Sequence, residues 1–251
     1  MLYTHYHSDH IGGLGEIVLN SWAAGRRAPL KLYGPKGIAL VAEGFETAYR
    51  LDSGYRTAHH GEGLMPPDGS KLTPVFVDVP GDDEVVTVFE EGGLKIGAFR
   101  VDHGPIRPAY GYRVDYRGRS AIFSGDTVKH ANLARVGRDV DVMVHEALSE
   151  RMILLLAQVL EGNGDPDRAQ ILRDTPGYHT TPVEAAESAT EARARLLVYS
   201  HVLPPLPNKL IEQIFLRGVA EARAGETLIA FDGLHLELPI GSEDILRHDL
   251  N

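Results

Sequence analysis

The first residues of the chain hold its densest group of potential metal ligands. His5, His7, Asp9 and His10 fall within six positions, and Gly12-Gly13 follows them. Side chains two apart on an extended segment point the same way, so His5 and His7 can bind one metal while Asp9 and His10 face a second. Neutral imidazole and carboxylate suit zinc, with manganese and iron as alternatives. The glycines allow a tight turn into a helix, and the spacing predicts a metal site.

Three later positions offer the further ligands that such a site needs. His103, Asp126 and His201 each stand where a hydrophobic, strand-like stretch is expected to end, beside small or turn-forming residues. Taken alone, a strand-terminal His or a turn Asp is usually structural. Four motifs in this order favour a shared site. The histidines without such a context are interpreted as structural: His59, His60, His130, His235 and His248.

Together these motifs resemble the signature of the metallo-β-lactamase superfamily. The resemblance assigns one metal to His5, His7 and His103 and another to Asp9, His10 and His201, with Asp126 bridging. It therefore implies two divalent metal ions as cofactors, Zn2+ first, with Mn2+ or Fe2+ as alternatives. Two metals that share a water lower its pKa from near 16 to roughly 7, and the resulting bridging hydroxide attacks an electrophilic centre. Asp9 would both bind metal and orient this nucleophile.

Two further motifs look like those of the ribonuclease Z branch, which also includes arylsulfatases and phosphodiesterases. They are His145-Glu146-Ala147 and Tyr178-His179-Thr180-Thr181. Carried over, Glu146 and His179 would form a catalytic pair that protonates the leaving group. A carboxylate raises the pKa of a neighbouring imidazole and fixes its tautomer, which suits a general acid. The alternative is that Thr180 or Thr181 caps the next helix and His179 is a loop residue.

The choice of substrate depends on departures from that branch. Leu148 stands where the branch prefers Thr, residues 202–205 lack its Ser-Arg-Tyr, and residues 105–112 look like arylsulfatase-like hydrolases. Residues 46–75, at the position of a basic tRNA-binding arm, hold three basic against four acidic side chains, which is a poor phosphate clamp. We therefore expect a dinuclear hydrolase of a small-molecule ester: an aryl sulfate, a phosphodiester, or a carboxylic ester or lactone. A tRNA 3′-processing endoribonuclease and an inactive fragment or binding protein remain the alternatives.

The composition indicates a globular protein with a sizeable core. The chain has 251 residues, of which 43% are hydrophobic, a formal net charge of −10 and no cysteine. Disulfides and thiolate metal sites are therefore excluded, whereas the compartment is not decided. The negative charge argues weakly against a polyanionic partner, so nucleic acid ranks below a small ester. No apolar run is long enough to span a membrane, and the apolar helix expected at 152–160 leaves a homodimer contact open.

Strands alternate with helices along the chain. We expect a single α+β domain, and the resemblance implies a four-layer αββα metallo-β-lactamase sandwich that is N-terminally truncated, since several strands normally precede the first motif. Residues 50–74 are rich in Gly, Pro and His and predict a long loop, and 46–75 are expected to form an active-site loop. The expected helices are 14–24, 37–49, 150–161, 182–195 and 208–224. The expected strands are 30–33, 75–79, 85–90, 94–101, 110–116, 119–123, 140–144, 196–199, 227–231 and 234–238.

Overall fold

The computed structural model describes residues 1–250 and divides into two compact units. Unit 1 comprises Met1–Asp78, and unit 2 begins at Val79. Within residues 1–250, every helix is too short or too polar to cross a bilayer.

Unit 1 is a small α/β unit. Its elements are α1 (Ser8–Ile11), α2 (Leu14–Ala23), β1 (Leu30–Gly34), α3 (Ile38–Ala48), α4 (Arg50–His60), a 3-10 turn (Pro67–Ser70) and β2 (Leu72–Phe76). Strands β1 and β2 pair in parallel, with Leu32 opposite Pro74. Leu14 and Val18 of α2 and Ile38 of α3 pack with Leu32 into one apolar cluster, which fixes these helices beside the two strands.

The prediction of a long loop over residues 50–74 is wrong. Helix α4 occupies its first half, and β2 begins at Leu72 rather than at residue 75. The Gly and His content of the segment pointed to a loop, but α4 follows α3 after the single residue Tyr49 and has a strongly one-sided distribution of apolar residues. The apolar residues Leu51 and Tyr55 are exposed, so the helix is supported instead by the Asp52–Arg56 ion pair one turn apart and by the hydrogen bond from Thr57 Oγ1 to the carbonyl of Met65.

Unit 2 is built on a seven-stranded sheet. Its strands are β3 (Val85–Glu91), β4 (Leu94–His103), β5 (Ile106–Tyr116), β6 (Arg119–Phe123), β7 (Val142–Leu148), β8 (Leu196–Leu203) and β9 (Glu226–Ile229), in that spatial order. A separate antiparallel hairpin follows, formed by β10 (Leu234–Glu237) and β11 (Leu246–Asp249).

The direction of the strands brings several carboxyl ends to one edge of the sheet. Strand β5 is antiparallel to both β4 and β6, so β4 and β6 run the same way. Strands β6, β7 and β8 are parallel to one another. The chain therefore leaves β4, β6, β7 and β8 at the same edge, which is where open sheets with parallel strands place ligand-binding residues.

Alternating side chains of the sheet serve two cores. On β8, Leu197 and Tyr199 join the cluster that packs under the helices, whereas Leu196 and Val198 face residues of β9 and β10. This alternation is the two-residue period of a strand that is buried on both faces. It fixes the register of β8 as far as Tyr199.

The helices of unit 2 are α5 (Ala131–Val136), α6 (Glu150–Gly162), α7 (Pro166–Asp174), α8 (Pro182–Glu191), α9 (Lys209–Phe215) and α10 (Val219–Ala222). Of the three helices expected in unit 2, the one at 150–161 is observed to within one residue, the one at 182–195 ends at Glu191 and the one at 208–224 is divided. Two further helices, α5 and α7, are not among those expected. Gly218, at φ 90°, divides the single helix expected over 208–224 into α9 and α10. Helix α8 starts with a complete capping box, in which Thr181 and Glu184 satisfy each other's backbone N–H groups.

Candidate metal centre

The histidines of the first motif form a compact cluster within unit 1. His5 is 1% exposed, and its Nε2 lies 3.0 Å from Nδ1 of His7. The ring centroids of His5 and His10 are 4.1 Å apart, and His10 Nε2 lies 3.6 Å from Asp9 Oδ2. The extended residues up to His7 and the turn into α1 therefore bring all four predicted ligands of the motif together.

In unit 2, Asp126 directs its two carboxylate oxygens at two different imidazoles. Oδ2 lies 4.0 Å from His103 Nε2, and Oδ1 lies 3.6 Å from His201 Nδ1. Both separations exceed the usual length of a hydrogen bond. They suit ligand atoms that share a metal, since two atoms each about 2.0–2.2 Å from zinc lie no more than about 4 Å apart. Asp126 is 3% exposed, so its charge requires cationic partners.

His103 is held in the tautomer that a metal ligand needs. Its Nδ1–H donates to the backbone carbonyl of Tyr178 at 2.8 Å, which leaves the lone pair on Nε2, the atom that faces Asp126. A backbone acceptor behind a ligating imidazole is a common outer-sphere arrangement, because it fixes both the ring orientation and the tautomer. His103 is the last residue of β4, as the sequence predicts, and is 1% exposed.

His201 lies at a bulge inside β8 rather than at the end of the strand. The pairing with β7 passes from Glu146 opposite Ser200 to Ala147 opposite Val202, so His201 is the extra residue. Its φ of 46° is in the left-handed region, which is rare for a residue with a side chain. Bulges redirect side chains and are frequent beside active sites. Here the bulge places His201 next to Asp126.

Glu146 and His179 form the pair that the second set of motifs predicts. His179 Nδ1–H donates to Glu146 Oε1 at 3.0 Å, and both side chains are buried. Ligand-type atoms of Glu146, His179 and His201 lie within 4.8 Å of one another, so the pair adjoins the predicted metal ligands of unit 2. The helix cap named in the alternative is also observed, because the Thr181 side chain caps α8. This cap does not prevent His179 from pairing with Glu146.

Glu146 also fixes the backbone around Asp126. Its Oε1 accepts the N–H of Thr127 and the N–H of Thr180, each at 3.1 Å. Burial, followed by the neighbouring Asp126 carboxylate, raises the pKa of Glu146 well above its usual range. No donor among residues 1–250 reaches Oε2, which is buried. A carboxyl group of raised pKa beside an imidazole can hold and pass a proton.

His145 has a structural role. It is 0% exposed, and its Nδ1–H donates to the carbonyl of Glu146 at 2.7 Å. Burial lowers the pKa of His145 to about 4, so its imidazole is neutral near pH 7. The segment His145–Glu146 lies within β7, whereas the sequence pattern placed it after the strand. The rigid strand therefore holds Glu146 directly.

Sequence reasoning missed the residues that position the candidate ligands. Thr127 Oγ1 accepts the N–H of Asp102, which ties the loop that carries Asp126 to the end of β4. The carbonyl of Tyr178 orients His103, as described above. Both residues adjoin predicted site residues in the sequence, but nothing in their type shows which distant group they contact. The histidines expected to be structural take no part in any potential metal-binding group within residues 1–250.

Comparison with known proteins assigns the chain to a family. The model of the beta-lactamase superfamily domain matches residues 1–202. Ribonuclease Z of Mycolicibacterium gilvum is 34% identical over 209 residues, which cover 82% of this chain and 66% of that protein. The chain thus spans just under two thirds of that relative's length.

Solved structures agree on the fold. The metallo-β-lactamase fold protein YhfI of Bacillus subtilis has a TM-score of 0.57 at 16% identity, covering 91% of this chain and 73% of that one. The short form of human tRNase Z also has a TM-score of 0.57, at 20% identity, covering 92% of this chain and 75% of that one. The predicted metallo-β-lactamase fold is therefore confirmed.

The prediction of a small-molecule ester as substrate is wrong. The curated relatives are named ribonuclease Z, which favours the tRNA-processing alternative. The prediction relied on the summed charge of residues 46–75 and on single-residue departures such as Leu148. A charge sum over a segment does not show which side chains share a face, and α4 and the 3-10 turn divide this segment into separate faces. The resemblance of residues 105–112 to arylsulfatase-like hydrolases likewise does not determine the substrate.

Proposed function

The chain belongs to the beta-lactamase superfamily, and from this premise we propose that it is a metal-dependent ribonuclease that cleaves precursor tRNA near its 3′ end. The similarity to ribonuclease Z carries the choice of substrate. The ligand geometry of unit 2 and the Glu146–His179 pair carry the choice of chemistry.

We propose that seven side chains hold two divalent metals, as the family resemblance implies. The family model spans residues 1–202 and so includes every one of them: His5, His7, Asp9, His10, His103, Asp126 and His201. Imidazole and carboxylate donors without any thiolate suit zinc, manganese or iron. Bound metal would supply Lewis acidity and a water of lowered pKa.

The residues of unit 2 have separate tasks in this proposal. Asp126 presents one oxygen to the side of His103 and the other to the side of His201, which suits a bridging ligand. Its loop is held by Glu146 through the N–H of Thr127. His179, fixed by Glu146 through Nδ1, presents Nε2 as the proton donor to the oxygen that leaves the phosphorus.

Cleavage of a precursor tRNA with a 3′ trailer tests the proposal. The zinc- or manganese-loaded chain should cut this RNA and should also hydrolyse bis(p-nitrophenyl) phosphate. Asp126→Ala should abolish both activities. His179→Asn should lower RNA cleavage about a hundredfold or more, the usual contribution of general acid catalysis, and should affect the activated ester less because nitrophenolate needs no proton.

His59→Asn provides a matched control. His59 lies near the end of α4, is exposed and belongs to no potential metal-binding group within residues 1–250. This variant should keep both activities. Hydrolysis of the activated diester without any cleavage of precursor tRNA would contradict the proposed substrate. An unchanged RNA-cleavage rate in His179→Asn would contradict the role given to His179.

A further inference from the structure

Unit 1 contains a cavity that the proposed reaction does not use. It has a volume of about 400 Å³ and lies among α2, α3, α4 and residues 67–72. The cavity is partly open, since Arg50, Gly54 and Ala58 in its lining are exposed, and sites for small ligands are typically clefts or cavities of about 300–1,000 Å³. The size of this cavity therefore falls within the range of a ligand site.

The wall of the cavity is mainly apolar and includes buried residues of α2 and β2. Val18 of α2 is 6% exposed, and Leu72 is 9% exposed. The rings of Phe45 and Tyr49 stack nearly parallel, with centroids 6.4 Å apart. A Cβ at Gly15 would lie 2.2 Å from the Tyr49 ring, so this glycine is needed for the ring to take its place in the wall. The cavity is thus shaped by specific close contacts.

Charged groups at the cavity favour an anion. Glu46 is already engaged, since Oε1 accepts the N–H of Leu72 at 2.7 Å and Oε2 lies 3.8 Å from Lys71 Nζ. Arg50 also lines the cavity, and it donates only a long hydrogen bond of 3.5 Å to Thr47 Oγ1. Within residues 1–250, no carboxylate lies at ion-pair distance from Arg50. A guanidinium group without a carboxylate partner can bind the carboxylate of a ligand, which accepts two parallel hydrogen bonds from it.

We propose that this cavity binds a small carboxylic acid with an aliphatic body. The hydrocarbon would fill the space between α2 and α4, and the carboxylate would contact Arg50. Burial of the hydrocarbon against Phe45, Tyr49 and Leu72 supplies most of the affinity, because apolar burial scales with area. The exposed ion pair contributes less and mainly sets the preference for an acid over an alcohol. This binding is separate from the proposed ribonuclease activity.

Calorimetric titration of the full chain tests the proposal with three probes. Decanoate should bind, decanol should bind more weakly, and acetate should not bind, because acetate lacks the apolar body. Gly54→Leu should weaken decanoate binding at least tenfold. A Cβ at Gly54 meets no atom within 4 Å, so the added side chain can occupy the cavity without a clash.

Gly44→Leu is the matched control. Gly44 is also helical, and its Cβ would also meet no atom within 4 Å, but it does not line the cavity. This variant should bind decanoate like the wild type, and thermal unfolding of both Leu variants verifies that they are folded. Arg50→Gln should weaken decanoate binding about fivefold, the effect of one exposed ion pair, and leave decanol binding unchanged.

Several outcomes would overturn the proposal. They are the absence of decanoate binding to the wild type at millimolar concentration, equal affinities of the Gly54→Leu and Gly44→Leu variants, and equal losses of decanoate and decanol binding in Arg50→Gln. Binding of a short single-stranded RNA that displaces decanoate, with loss of RNA binding in Gly54→Leu, would assign the cavity to the nucleic acid instead.

Discussion

The left-handed backbone of His201 predicts an unusual stability difference between two variants. His201 is the extra residue of the β8 bulge and has a φ of 46°. Both His201→Ala and His201→Gly remove the imidazole and its proximity to Asp126, so the loss of those interactions is common to the two. The remaining difference between them reports the cost of holding a Cβ in this conformation.

The magnitude follows from two opposing effects. A residue with a Cβ in the left-handed region costs roughly 1–2 kcal/mol, which glycine avoids. Glycine also loses more conformational freedom on folding, which costs about 0.5–1 kcal/mol relative to alanine. The first effect is larger, so we expect His201→Gly to be more stable than His201→Ala by about 0.5–1 kcal/mol.

Urea denaturation of the metal-free proteins in chelator measures this difference without a contribution from bound metal. Ser200 provides the control, because it lies in the same strand and is not among the residues of positive φ. There the order should reverse, with Ser200→Gly less stable than Ser200→Ala. If glycine is the less stable variant at both positions, the account of the bulge as a strained, site-directed feature is refuted.

Two further predictions concern the pH dependence of stability. Burial by itself raises the pKa of Asp141, but the hydrogen bonds from the Ser120 N–H, Arg195 and Arg119 outweigh this effect, so the pKa of Asp141 is lowered. Asp141→Asn should therefore cost about 3 kcal/mol at pH 7, because the buried Arg119 loses its carboxylate partner and keeps only backbone carbonyls as acceptors. The cost should shrink as the pH falls through the folded pKa of Asp141, and equal urea midpoints for variant and wild type at pH 7 would contradict this. Burial lowers the pKa of His145 to about 4 in the folded chain, whereas the pKa in the unfolded chain is near 6.5. Below pH 6.5 the unfolded chain therefore binds a proton that the folded chain does not, and the free energy of unfolding should fall by about 3 kcal/mol as the pH falls to 4. Denaturation across this range should show a slope that His145→Asn lacks, and an identical slope in the variant would exclude His145 as its source.

The grouping of candidate ligands in unit 2 could be predicted from the sequence because it depends on residue type and on position at strand ends. His103 and Asp126 stand at or just after strand ends, as expected, and Glu146 meets His179 as the motifs imply. The strands of the sheet were expected near their observed places, but several of their ends were not: β5 begins at Ile106 rather than at residue 110, and β7 and β8 extend to Leu148 and Leu203 rather than to residues 144 and 199.

Other features do not follow from composition and periodicity alone. The bulge at His201 arises from pairing with β7, and the residue itself gives no local sign of it. Helix α4 forms from a segment of loop-like composition, and the contacts that hold it are the Asp52–Arg56 ion pair one turn apart and the hydrogen bond from Thr57 Oγ1 to the carbonyl of Met65. The substrate was mispredicted because net charge along a segment does not describe a surface, and members of one fold share a metal core while their substrates differ.

The most direct test of the central claim is the metal dependence of RNA cleavage. The chain, freed of metal with chelator, should leave a 3′-extended precursor tRNA intact, and stepwise addition of Zn2+ or Mn2+ should restore a cut near the 3′ end in proportion to the metal bound. Asp126→Ala should show no restoration at any metal concentration. Cleavage at full rate in chelator, or no cleavage by the folded wild type at any metal occupancy, would contradict the account.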